Sequence, residues 1–175
     1  MEESKAIIEA LIFASELPLS TDRIAEIFPH VEKNDIGNLV RELMKEYEAR
    51  KGGLHIQEVA GGFHFRTREE MGPWINKLRG EKPMTLTPAA METLAVVAYR
   101  QPVVKSEIDR IRGVDVSGSL KGLLEKKLVR IMGRKDIAGK PIIYGTTKKF
   151  LDVFNLKDLS DLPTLRELKD FQEEA

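Results

Sequence analysis

Sliding the chain along itself by 84 residues, with no gap, superposes Ala6 on Ala90, Ala14 on Ala98, Pro18 on Pro102, Ile24 on Ile108 and Ile27 on Ile111. Apolar helices align readily by accident, so the weight of the match lies in the order of the later elements. Both copies run from an apolar helix through a proline-marked break into a second short helix, then supply a third helix and a two-stranded hairpin. That order is a helix-turn-helix with a wing, present twice. A chain of 175 residues is long enough for two such units, each with its own small core.

In the first copy, Ile7, Ile8, Leu11 and Ile12 give helix one, from about Lys5 to Glu16, an apolar face. Ser20 supplies an N-cap for helix two, whose face is Ile24, Ile27 and Phe28. Helix three is expected to open at Asn34 or Asp35 and carries Ile36, Leu39, Val40, Leu43, Met44 and Tyr47 at helical spacing until Gly52-Gly53 stop it. Leu54 and Ile56, then Phe63 and Phe65, alternate with His55, Gln57, His64 and Arg66 about Gly61-Gly62, the pattern of a hairpin. A short helix at Met71, Trp74, Ile75 and Leu78 is expected to close the unit, with Gly80 to Pro83 as linker.

In the second copy, Thr87 caps helix one and Pro88 takes its first position, where a missing N–H costs nothing. Val104 stands where Ser20 stands in the first copy and has no side-chain acceptor, so that cap is missing or supplied from elsewhere. Helix three is expected to open at Asp115 or Ser117, with Leu120, Leu123, Leu124 and Leu128 inward, and strands from Val129 to Met132 and from Pro141 to Thr146 flank a turn at Gly139. Phe150, Leu151, Val153, Phe154 and Leu156 suggest one more short helix. The expected fold class is mainly α with small β-hairpins (α+β): two tandem winged helix-turn-helix domains over 1–80 and 85–158, joined by a linker at 81–84. Residues 159–175 read as an acidic tail, expected to be partly disordered.

Composition narrows the function classes. No apolar run is long enough to cross a bilayer, and Met1-Glu2-Glu3 leads into an amphipathic segment without the order of a signal peptide, so neither membrane nor leader is expected. The absence of cysteine excludes disulfides, thiolate catalysis and cysteine-based zinc sites, and a reducing cytoplasm is the natural setting. Charge balances overall but not locally: from Arg100 to Lys149 there are thirteen Lys and Arg against five Asp and Glu, followed by the acidic tail.

Catalytic, metal and cofactor sites find little support. His55 and His64 can face one another across the first wing, but no cysteine offers a third zinc ligand, and surface histidines are the better account. The stretch from Gly133 to Pro141 resembles a phosphate-binding loop only faintly. Five residues separate its glycines where four are needed, Pro141 replaces the hydroxyl residue, and it joins two strands, so it reads as a hairpin turn. No catalytic, metal-binding or cofactor-binding residue is assigned, and a small hydrolase ranks last. The contest is between nucleic acid and protein partners. Helix three of the second copy displays Gly118, Ser119, Lys121, Gly122, Glu125 and Lys126, a poor base-reading surface whose glycines let another backbone come close. The equivalent helix of the first copy shows carboxylates, which repel phosphate. Sequence-specific DNA binding is not expected; a weak phosphate contact through Arg134, Lys135 and Lys140 stays open.

Several stretches resemble the family of bacterial segregation and condensation protein B: Glu9 to Ser15 followed by Pro18-Leu19, Gln57 to Phe63, LTPAAMETLAVVAYRQPV from Leu86 to Val103, IRGVDVSGSL from Ile111 to Leu120, and Gly133 to Pro163. Ala138 and Lys140 depart from the proline and arginine expected in the wing turn, and Val104 from the usual capping Ser or Thr. The resemblance implies a non-catalytic accessory subunit of a bacterial condensin-like complex in the cytoplasm, associated with the nucleoid. Such a subunit forms a homodimer, chiefly through the first winged module. It also binds the kleisin, segregation and condensation protein A, which bridges the heads of an SMC ATPase. For the kleisin contact the candidates are Tyr99, Arg100, Gln101, Pro102, Phe150, Leu151 and Phe154; for the dimer, the first module's wing and the edge of helix one, with Phe63, Phe65 and Trp74 as the large apolar candidates. The alternative is a transcription regulator that binds DNA through its winged modules.

Overall fold

The computed structural model describes residues 2–80, 85–164 and 167, and the chain divides into two compact units, Met1–Pro83 and Met84–Ala175. The first unit comprises α1 (Glu2–Ala14), α2 (Thr21–Ile27), α3 (Lys33–Ala49), β1 (Leu54–Val59), β2 (Gly62–Thr67), a 3-10 turn and α4 (Gly72–Arg79). The second comprises α5 (Pro88–Arg100), β3 (Val103–Val104), α6 (Lys105–Arg112), α7 (Ser117–Glu125), β4 (Val129–Arg134), β5 (Ile142–Thr146), α8 (Lys148–Val153) and a 3-10 turn, Leu159–Asp161. Each is a winged helix-turn-helix. The linker expected at 81–84 lies outside the described residues.

In the first unit, Ile8 and Ile12 of α1, Ile24 of α2, Ile36, Leu39, Val40 and Leu43 of α3 and Ile56 of β1 make one buried cluster. Each such side chain stabilises the fold by roughly 1.5–3 kcal/mol relative to exposure. Ser20 caps α2 as expected, its hydroxyl accepting from the Arg23 N–H at 3.2 Å. Helix α3 opens at Lys33, one residue before the expected Asn34, and Glu32 at its cap makes no side-chain bond. It ends at Ala49, and Lys51, at φ +49°, turns the chain before the two glycines.

The first wing pairs His55 with Arg66, Ile56 with Phe65 and Gln57 with His64. Its turn is Ala60-Gly61, both at positive φ as a tight two-residue hairpin requires, rather than Gly61-Gly62. Gly62 serves a different purpose: Leu19 and Phe63 exchange both backbone hydrogen bonds at 2.9 Å, and a Cβ on Gly62 would lie 2.8 Å from the carbonyl carbons of Pro18 and Leu19. Helix α4 forms where expected but does not close the unit. None of its residues is buried, and Trp74 and Leu78 are 69% and 87% exposed.

The second core joins Leu94, Val97 and Ala98 of α5 to Ile108 of α6, Leu120 and Leu123 of α7, and Leu128, Val129, Tyr144 and Phe150. Thr87 caps α5 by accepting from the Ala90 N–H at 3.2 Å. An element not foreseen is β3, which pairs Val103 with Tyr144 and Val104 with Ile143 to make a three-stranded sheet in the order β3-β5-β4. Val103 lies 84 residues beyond Leu19, so the single Leu19–Phe63 bridge of the first unit is the same contact in reduced form. The cap missing at Val104 is half supplied: the Glu107 carboxylate accepts the Val104 N–H at 3.3 Å, the reciprocal half of a capping box. Helix α7 opens at Ser117, one of the two expected positions, and the N–H of Val116 before it is taken by Asp109 Oδ1 at 2.9 Å.

Strand β4 runs on to Arg134, with a register shift between Ile131 and Gly133 that leaves Met132 as a bulge. The packed structure also continues past residue 158. Asp158 caps the 3-10 turn through the Ser160 N–H at 2.7 Å, Leu162 packs against the second core, and the Tyr99 hydroxyl donates to the Pro163 carbonyl at 2.7 Å. The segment read as the start of a disordered tail is thus ordered through Thr164; of the residues beyond it only Glu167 is described.

Candidate interaction surfaces

Helix α1 is apolar nearly all round. Its core face holds Ile8 and Ile12; on another face, Ala6, Ala10, Phe13 and Ala14 recur at helical spacing and stay exposed, continued past the helix end by Leu17. Phe13 and Leu17 are 70% and 73% exposed. Ala6, Glu9, Ala10, Phe13, Tyr47 and Phe65 line a shallow groove of about 230 Å³. Phe65 meets both Phe13 and Tyr47 edge-on, at centroid distances of 5.7 and 4.9 Å, and the Tyr47 hydroxyl donates to Glu9, which raises the Tyr47 pKa. Of the expected dimer residues, then, Phe65 reaches this groove. Phe63 is half-buried against the first core beside Leu19, and Trp74 stands apart on α4 with the Lys77 ammonium 5.2 Å from its ring centre. Sequence reasoning pointed to the edge of helix one but did not name Phe13 or Leu17. The signal was present, because a small amphipathic helix does not need apolar residues on two faces.

In the second unit, Gln101, Pro102, Arg130, Met132, Thr146, Thr147, Lys148, Leu151 and Leu159 line a cleft of about 590 Å³. Gln101 is fixed by the wing: its amide accepts from the Thr146 N–H at 2.8 Å and donates to Thr146 Oγ1 at 2.9 Å and to the Ala98 carbonyl at 3.2 Å. Gly145 leaves room for this arrangement, since a Cβ there would collide with the Met132 sulfur and come within 2.9 Å of Gln101 Oε1. The cleft brings together three of the expected kleisin residues, Gln101, Pro102 and Leu151. It does not collect the rest. Phe150 is buried in the core and unavailable to a partner, Phe154 packs on it at 5.0 Å between ring centres, Tyr99 is engaged with Pro163, and Arg100 is exposed outside the cleft. Arg130, Met132, Thr146, Thr147, Lys148 and Leu159 complete the lining and were missed because the pairing of the wing strands, the bulge at Met132 and the 3-10 turn bring them there from distant positions.

Charge separates the two units. Over 117–150, which spans α7, the wing and the first turn of α8, there are nine Lys and Arg against Glu125 and Asp136 alone. The equivalent window 33–66 holds six against five. Beneath the second wing, Lys105 bridges Asp109, at 2.7 Å, and Asp115, so its ammonium pKa is raised and both carboxyls are held below the usual range. Glu107 is lowered first by the Val104 N–H and then by Lys135 at 3.4 Å. The loop from Gly133 to Pro141 is a hairpin turn, closed by Lys135 N–H to Pro141 and Lys140 N–H to Ile137, each 2.9 Å. Gly118 and Gly122 face open space, as a Cβ on either would meet nothing within 4 Å. His55 and His64 are diagonal neighbours on the outer face of the first wing; among the described residues no group of three or more His, Asp or Glu is placed to hold a metal ion. No helix of the described residues is long and apolar enough to cross a membrane.

The family described as segregation and condensation complex subunit ScpB matches residues 6–165. Segregation and condensation protein B of Syntrophotalea carbinolica is 43% identical over 173 residues, which cover 99% of this chain and 87% of that protein. Among solved structures, ScpB from Mycobacterium tuberculosis is 30% identical over 89% of this chain and 96% of its own, with a TM-score of 0.42. A dimer of an ScpB N-terminal domain complexed with ScpA peptide is 31% identical over 44% of this chain and 95% of its own, with a TM-score of 0.41. From the match over residues 6–165 and the 43% identical relative, the chain belongs to the family of segregation and condensation complex subunit ScpB.

Proposed function

We infer that this chain is a non-catalytic accessory subunit of a bacterial SMC–kleisin complex, acting in chromosome condensation and segregation in the cytoplasm at the nucleoid. It pairs with a second copy through the first unit and holds the kleisin, segregation and condensation protein A, through the second; the SMC ATPase is met through the kleisin. Family membership supports this reading. The structural observation that carries it is the exposed apolar stripe of α1 with Phe13 and Leu17, because a lone domain gains nothing by keeping a second apolar helix face in water. The cleft of the second unit, with Pro102, Met132, Leu151 and Leu159 inside and Arg130 and Lys148 among its lining, suits a peptide segment that carries both apolar and acidic side chains.

Light scattering on the full chain is expected to give the mass of a dimer, and the pair Phe13→Asp with Leu17→Asp to give that of a monomer. Titration with the purified kleisin of the same organism is expected to show binding that Leu151→Glu weakens at least about tenfold, or about 1.4 kcal/mol, while the dimer persists. A monomeric chain, or a kleisin affinity indifferent to Leu151, overturns the corresponding half of the reading.

A further inference from the structure

We propose that the second unit carries a sequence-independent contact for duplex DNA, formed by the β4–β5 wing and the first turn of α8. The inference does not depend on the kleisin reading, although the two surfaces share Arg130 and Lys148, and it rests on a basic excess that one copy of the repeat has and the other lacks. In the first unit, the equivalent window 33–66 has nearly balanced charge, six Lys and Arg against five Asp and Glu. In the second, Arg130, Arg134, Lys140, Lys148 and Lys149 are all exposed, and Asp136 is the one acid in the wing sequence.

The wing holds its cations in place. Arg134 donates to the Lys140 carbonyl at 3.0 Å and Arg130 to the Thr146 carbonyl at 3.1 Å, so both guanidinium groups are tethered to the backbone by one N–H with other N–H groups left over. A docked acidic peptide in the cleft would meet Arg130 and Lys148, whereas Arg134, Lys140 and Lys149 lie outside its lining. An extended polyanion with regularly spaced charge can engage both sets. A duplex is such a polyanion, and a protruding hairpin beside a helix is a shape that follows its backbone. Base reading is not provided: α7 exposes Ser117, Gly118 and Lys121 and has no Asn, Gln or Arg, the side chains best suited to bidentate base contacts together with Lys. Phosphate contact without base contact gives affinity that is salt-dependent and indifferent to sequence.

The test uses the full chain and two fluorescent 30-base-pair duplexes of unrelated sequence, followed by anisotropy at several salt concentrations. Both are expected to bind alike, with log affinity falling against log salt at a slope of about −3 to −4, corresponding to about four neutralised phosphates. The pair Lys140→Glu with Lys149→Glu is expected to weaken binding at least about tenfold and to flatten the slope by about 2. The milder Lys140→Gln with Lys149→Gln should fall between, which guards against loss through misfolding. Arg41→Glu with Lys45→Glu, which makes the same change of charge on α3 of the first unit, is expected to leave binding within about twofold. No binding at about 50 mM salt, equal loss in the α3 pair, a wing pair that binds as the unaltered chain, or a tenfold preference for one duplex would each overturn the proposal. So would binding of polyglutamate with no binding of either duplex, which would assign the surface to an acidic protein.

Discussion

In the first wing, each residue from Leu54 to Val59 has a partner and the turn is two residues long; in the second, Met132 bulges, residues 135–141 form the turn, and β3 adds a third strand. The first two helices beneath them differ far less, although α3 runs for 17 residues and α7 for 9. Ile24 and Ile108, one repeat apart, are both fully buried, and Ser20 and Val104, also one repeat apart, both lead into the second helix. The duplicated part is thus the helical core, whose packing tolerates little change, while divergence has gathered in the hairpin, where a bulge or a longer turn alters what the surface presents without disturbing buried contacts. The tight first wing turns Phe65 toward Phe13. The bulged second wing opens a cleft beside Gln101 and carries cations outward.

That comparison can be broken most forcefully at the core. Ile24→Ala and Ile108→Ala are each expected to cost about 2–5 kcal/mol in chemical denaturation; a large loss at one position and little at the other would mean that the two copies no longer share a core. The wing glycines should diverge next. Gly62→Ala sets a Cβ against the backbone of Pro18 and Leu19 and is expected to cost about 2–3 kcal/mol, whereas Gly145→Ala meets mainly the flexible Met132 side chain and should cost about 1 kcal/mol. The reverse ranking would show that the second wing is the more rigid. Ser20→Ala removes the side-chain cap of α2 and is expected to cost about 1 kcal/mol by the same measurement; no change would show that the cap is dispensable, as it already is in form at Val104.

The smallest effect is electrostatic. Asp109, Asp115 and Glu107 in the second unit all have lowered pKa values, set by Lys105 for the two aspartates and by the Val104 N–H for the glutamate, against Glu48, lowered by Arg68, in the first. A carboxyl held low in the folded state stabilises it above the ordinary carboxylate range, and that contribution is lost as pH falls below about 4. On acidification, the amide NMR signals of α7 are therefore expected to be lost before those of α3, and Asp115→Asn to narrow the gap. Loss of α3 first would contradict the assignment.

Much of this architecture is legible in the sequence because it rests on local patterns. The helix faces, the caps at Ser20 and Thr87, and the hairpin turn between Gly133 and Pro141 each come from residues within a few positions of one another. The interaction surfaces are legible only in part. Gln101, Pro102 and Leu151 do share a cleft, but Phe150, equally apolar and adjacent to Leu151, is core, and nothing in its sequence neighbours distinguishes the two cases.

The order, type and number of helices, and their duplication at 84 residues, were determined by the sequence itself, since the period of apolar side chains is set by backbone geometry alone. Tertiary structure decided which apolar residues find a partner. Ile12 and Phe13 are adjacent and both apolar, yet one is fully buried and the other 70% exposed, because burial depends on what α2, α3 and the wing bring to each face of α1. The pairing of Leu19 with Phe63 and of Val103 with Tyr144, the Met132 bulge and the return of Leu162 onto the second core are contacts between residues distant in the chain, and no local pattern encodes them.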